Sequence, residues 1–114
     1  MLTLNDMIEF GADTETALKR CAGKEELYLR LVKKVPDSEE FEKLEAAVSE
    51  KDYDKAFDIA HGLKGVLLNL SITPIADPVS EMTEYLRNKE DRDYSTYLTE
   101  MMSQREKLKA LCNE

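Results

Sequence analysis

Apolar residues recur along this chain at helical intervals, and no run of β-branched residues alternates for long enough to suggest a sheet. The pattern predicts five or six helices, drawn from a series of segments with local start and stop signals. Leu4 to Phe10 ends at Gly11, the residue type best suited to a left-handed cap. Asp13 offers an N-cap for a segment through Ala17, Leu18 and Cys21, stopped near Gly23. Lys24 to Val35 carries Leu27, Leu31 and Val35 at helical spacing, and Pro36 marks its boundary. Asp37 with Glu40 makes a start like a capping box for Phe41 to about Glu50. Asp52 caps the segment from Tyr53 to about Leu70, and a break follows at Ser71-Ile72-Thr73-Pro74. The next helix covers roughly Val79 to Arg87, opened by either Thr73-Pro74 or Asp77-Pro78. After a charged connector at Asn88 to Asp93, a last helix runs to about Leu111. Short loops between amphipathic helices favour an all-α fold, an antiparallel bundle with a hydrophobic centre.

The helix from Tyr53 is the informative one. Turned at about 100° per residue with His61 at zero, Ile59, Leu63, Val66 and Leu70 fall between about 140° and 200°. With Ala56 and Leu67 nearby, these form the expected core stripe. His61 lies nearly opposite its centre, which disfavours a buried structural histidine. Asp54, Phe57, Lys64, Gly65 and Leu68 share its face, all within about 60° of it. Lys64, one turn along, can place an ammonium beside the imidazole and attract a phosphate added to the ring. Gly65 removes the side chain that would crowd the imidazole. Glycine inside a helix costs up to about 1 kcal/mol relative to alanine, and Gly62 repeats that cost. Two mid-helix glycines point to close approach by something large. Phe57 and Leu68 are then outward apolar residues: a docking patch, or ordinary single exposed side chains, or side chains covered by the short N-terminal helix.

Composition narrows the function classes. The chain has 114 residues, the length of one domain. Its 24 acids against 16 bases give a net charge of −8, which argues against sequence-independent binding to nucleic acid or anionic membrane. No stretch approaches the ~20 apolar residues of a membrane span, and the first residues do not read as a signal peptide. A cytoplasmic protein is expected. Cys21 and Cys112 make no disulfide framework and no closely spaced metal motif. His61 is the single histidine, so metal-ligand sets and Ser-His-Asp arrangements find little support.

The string Ala60-His61-Gly62-Leu63-Lys64-Gly65, followed by Asn69-Leu70, resembles the signature of histidine-containing phosphotransfer (HPt) domains of bacterial phosphorelays. The segments Leu4 to Gly11, Thr16-Ala17-Leu18 to Gly23, and Glu26-Leu27-Tyr28-Leu29 to Lys34 resemble the family's N-terminal half. Asp52-Tyr53-Asp54 leading into Ala56 and Ala60 resembles its approach to the active helix, so the likeness spans roughly residues 2 to 110. It implies a single HPt-like domain over residues 1–114, an antiparallel four-helix bundle with one or two short accessory N-terminal helices.

The same resemblance implies that His61 is the phosphoacceptor, taking a phosphoryl group on Nε2 from a receiver-domain phosphoaspartate and passing it to another. Lys64 would stabilise the phosphohistidine and Gly65 would give the partner room. Thr83 stands where the family often has a hydrogen-bonding Gln and would make a weaker version of that bond. Asp54, Phe57, Asp58, Gly62, Leu68 and Asn69 are the expected docking surface. The implied partners are receiver domains of response regulators and of a hybrid sensor kinase, met by a monomer. This chain would carry no cofactor of its own, and Mg²⁺ would come with the receiver. The chain shows no Gly-rich phosphate loop and would be a transfer intermediate, not a kinase. Ser71 replaces the family's usual Gly, Leu67 and Leu68 replace small residues, and Pro78 is expected to shorten the following helix. A second reading is a docking module that binds a receiver or kinase without phosphate chemistry, with Leu68 shielding the ring.

Overall fold

The computed structural model describes residues 1–113 and shows only helices among them. In chain order these are α1 (Leu4–Phe10), α2 (Thr14–Arg20), α3 (Glu25–Lys34), α4 (Glu40–Ser49), α5 (Tyr53–Asn69), α6 (Thr73–Arg87) and α7 (Ser95–Cys112). All seven candidate segments are separate helices, one more than the expected upper count. The last four form the bundle, with α4 on α5, α5 on α6 and α6 on α7. Three short helices precede it, so the accessory part is larger than the one or two expected.

Local chemistry explains most helix ends. Thr3 accepts from the Asp6 amide while the Asp6 carboxylate accepts from the Thr3 amide, a reciprocal cap on α1. Gly11 closes that helix at φ 110°, and a Cβ there would come within 3.1 Å of Pro74. Asp13 and Asp52 accept from the amides of Thr16 and Lys55 as N-caps of α2 and α5. Asp37 does not cap α4. Its place is taken by Ser38, whose Oγ accepts from the Glu40 amide. The loop is organised instead by Arg105 of α7, which donates to the carbonyls of Pro36 (2.8 Å) and Ser38 (3.1 Å) and pairs with Glu42.

Of the two possible starts for α6, Thr73-Pro74 is used, six residues before the expected Val79. Pro74 falls in the first turn, where an amide has no intrahelical partner to lose. Pro78 lies inside the helix and is buried, so it forfeits one backbone bond and packs its ring in exchange. It does not shorten the helix. The break is confined to residues 70–72.

Ser71 takes the left-handed conformation at φ 54°. Its amide donates to the Leu68 carbonyl and that of Ile72 to the Leu67 carbonyl, the pairing that closes a helix with a left-handed residue. Ala22, Lys51 and Lys89 close α2, α4 and α6 in the same way, each at positive φ without being glycine.

The N-terminal helices brace this end of α5. Arg20 donates to the carbonyls of Leu68 (2.6 Å) and Asn69 (3.0 Å) and to Ser71 Oγ (3.2 Å). Tyr28, fully buried, donates its hydroxyl to the Leu70 carbonyl at 2.9 Å, and burial pushes its pKa up to about 12. The Asp13 amide donates to the Ser71 carbonyl. A cation and two further donors therefore satisfy carbonyls that a helix C-terminus leaves open, where its dipole favours positive charge.

The core runs through the bundle as Phe41, Leu44, Leu63, Leu67, Ile75, Val79, Met82, Leu86, Met101 and Leu108. On α5 the buried stripe is Ala56, Ala60, Leu63, Leu67 and Leu70. Val66, expected in the core, is 50% exposed, and Ile59 is half-buried. The stripe is rotated toward the alanines, whose small side chains let neighbouring helices approach closely. No described helix is long and apolar enough to cross a membrane.

Candidate functional site

His61 sits at the middle of α5 with its side chain exposed, on the outward part of the helix. Among the described residues no side chain hydrogen-bonds either ring nitrogen. The ring's one aromatic neighbour is Phe57, one turn earlier, with centroids 5.6 Å apart and planes inclined by 23°. Phe57 is half-buried, and the guanidinium of Arg87 lies over it at 5.0 Å from the ring centroid. The imidazole is thus stacked on Phe57 at one face while the residue as a whole stays exposed.

Lys64 shares this face but points its ammonium across to α6, 3.8 Å from Glu84 Oε2. The same oxygen of Glu84 pairs with Arg87 at 3.4 Å. The contacts Phe57 with Arg87 and Lys64 with Glu84 run antiparallel. His61, between 57 and 64, therefore lies at the level between 84 and 87 on α6.

Thr83 is not part of this surface. It is 0% exposed, and its hydroxyl donates to the Val79 carbonyl at 2.6 Å, so the weak bond expected of it is absent. One residue further along, at about 100° of helical rotation, Glu84 faces outward instead.

Gly62 and Gly65 are exposed, and a Cβ built on either meets nothing within 4 Å. No contact among the described residues accounts for their lack of a side chain. Asp54 is exposed and pairs with Lys89 at 3.0 Å. Leu68 is 46% exposed, so no N-terminal helix buries it.

Asp58, Gly62 and Asn69 lie along the opposite edge of the face, where they border a groove of about 520 Å³ between α3, α4 and α5. Leu31, Val35 and Phe41 form much of its wall, and Val66 projects into it. Sequence reasoning missed this groove, together with Glu84 and Arg87. The signal available was Val66, one turn from Gly62 and read as core because it is large and apolar.

Cys21 and Cys112 are free thiols, and burial pushes that of Cys112 up. No group of three metal-ligating side chains occurs among the described residues.

The family model for the Hpt domain matches residues 37–114, taking in α4 to α7 with His61 inside it. The three N-terminal helices, counted in the resemblance above, lie outside that match. No curated protein and no solved structure matches the chain. With well over half its residues inside the match, the chain belongs to the Hpt domain family, helical carrier modules for histidine phosphotransfer in phosphorelays.

Proposed function

We propose that this protein shuttles a phosphoryl group through His61 between receiver-domain phosphoaspartates, from a hybrid sensor kinase to a response regulator. One observation carries the reading: the only histidine of an Hpt family member stands exposed beside two glycines that no contact among the described residues explains.

In the forward step the neutral imidazole, its proton on Nδ1, attacks phosphorus with the Nε2 lone pair. A P–N bond forms, the P–O bond to the aspartate breaks, and the electron pair leaves on the carboxylate. The return step reverses this toward a second receiver. Such transfer depends on in-line positioning and charge stabilisation, for which Phe57 steadies the ring and Lys64 supplies a nearby cation. Gly65 leaves room for the receiver to close on the imidazole. Asp54, Phe57, Asp58, Gly62, Leu68 and Asn69 form the surface on which it seats. Mg²⁺ belongs to the acidic site of the receiver, and the protein works as a cytoplasmic monomer with no nucleotide site of its own.

The test is label transfer from a panel of phosphorylated receiver domains to wild type and His61→Gln. Acid-labile, base-stable label on wild type alone is expected, and the fastest donor identifies the pathway. If no receiver labels the protein while some still bind it, transfer is refuted and a phosphate-independent docking module takes its place.

A further inference from the structure

The α6 residues that reach Lys64 and Phe57, on either side of His61, are one acid and one base, Glu84 and Arg87. Glu84 Oε2 holds Lys64 at 3.8 Å and Arg87 at 3.4 Å, and Arg87 in turn lies over Phe57, the ring stacked on His61. Lys64, one turn from His61 on α5, and Arg87, on the ring that stacks with His61, are thus engaged with a single carboxylate oxygen. All three side chains are at least partly open to solvent, so each ion pair is weak and exchangeable.

A phosphoryl group on His61 brings a charge of roughly −1.5 to −2 and three strong acceptor oxygens to this spot. It outbids a single carboxylate for both cations. The carboxylate then remains nearby as a like charge that opposes retention of the phosphoryl group. We propose that Glu84 is a positioning residue of the phosphoryl site: it parks Lys64 and Arg87 beside the unloaded imidazole, yields them to the arriving group, and keeps that group transferable. The role in relay rests on the shuttle reading above, but the electrostatic arrangement can be tested without any receiver.

Phosphoramidate, a small-molecule donor, labels an exposed histidine directly, and a chain with one histidine gives one phosphohistidine signal in ³¹P NMR. The charged groups around that signal are Asp54, Asp58 and Lys64 of α5, Glu84 and Arg87 of α6, and Lys89 beyond it. In Glu84→Gln both cations are released and one negative charge is gone. The phosphoryl titration midpoint is expected to fall by about half to one unit, equivalent to a three- to tenfold change, and the difference should shrink in high salt. Glu84→Asp, which keeps the charge, should stay closer to wild type. In the receiver assay Glu84→Gln should shift the transfer equilibrium toward phospho-His61 by a similar factor.

An unchanged midpoint in Glu84→Gln, or an equal shift in Glu84→Asp, overturns the proposal whatever the receivers do. A shifted midpoint in a protein that no receiver labels sustains the Glu84 arrangement and removes the shuttle reading alone.

Discussion

Gly62 and Gly65 lie inside the 17-residue α5, well away from both caps, and a Cβ at either position meets nothing. Replacing each by alanine should therefore recover the whole helix-propensity difference with no steric offset. That amounts to about 0.5 to 1 kcal/mol per site, up to fivefold in the folding equilibrium. Since neither new methyl has a neighbour, the double variant should approach the sum. For a chain of this length each substitution should raise Tm by about 2 to 4 °C. The functional effect has the opposite sign. Gly65 is within about 40° of His61 around the helix, so its methyl would stand where a partner closes on the ring, and transfer should slow at least about tenfold. Gly62 borders the groove instead, and its alanine variant should weaken docking more than chemistry. Urea and thermal unfolding give the first quantity, and time-resolved label transfer gives the second. A variant less stable than wild type would show that the space around the glycines is not open. A Gly65→Ala protein that transfers at the wild-type rate would refute steric clearance as the reason for that glycine.

Other substitutions probe the frame. Arg105→Ala should cost about 2 to 3 kcal/mol, because the carbonyls of Pro36 and Ser38 and the Glu42 carboxylate lose their partner together; a urea titration measures it. Tyr28→Phe deletes the buried bond to the Leu70 carbonyl and should cost about 1 to 2 kcal/mol, with faster amide exchange at the end of α5. Ala22→Gly should stabilise by about 1 kcal/mol, since it relieves a left-handed alanine at φ 54°. Acid should unfold the protein along a defined route. A hydrogen bond from Arg105 holds Glu42 below its ordinary value of 4.5, and bonds from Thr16 and Ser95 hold Asp13 and Asp93 below 3.8. The unfolded chain takes up these protons first, so their stabilisation is complete above the ordinary values and disappears as pH falls through the lowered ones. Urea midpoints should drop below about pH 4.5, and Glu42→Gln should flatten part of that fall.

Elements framed by local chemistry were legible from the sequence. Gly11, Asp13 and Asp52 mark ends whose geometry depends on a few neighbouring residues, and α1, α2 and α5 begin or stop where these indicate. Position on α5 was legible to within a rotation: His61 is outward and Ala56 is in the stripe opposite it, but that stripe also takes in Ala60 and leaves Ile59 and Val66 at its margin. Side-chain size is a poor guide there, because close helix approach favours the small residue. Asp37 lost its cap role to Ser38, in a loop held by Arg105 from far along the chain, which no local pattern reports. Thr83 and Glu84 show the same limit. Adjacent in sequence, one is buried on Val79 and the other meets Lys64, and only the register of α6 on α5 decides which.

The span matched to the family begins at residue 37, whereas the support of its central helix begins earlier. Arg20, Tyr28 and the Asp13 amide all lie upstream of that point and all grip the far end of α5. A fragment cut at Asp37 would retain every atom of the phosphoryl surface and lose the anchor that keeps its last turns wound. Unwinding from Leu70 backward reaches Leu68 and then Gly65 before it reaches His61. The recognition face would then be intact in composition but short-lived in shape. How long that face persists, and so how long a docked partner has to complete the transfer, is set by residues that the family signature does not contain.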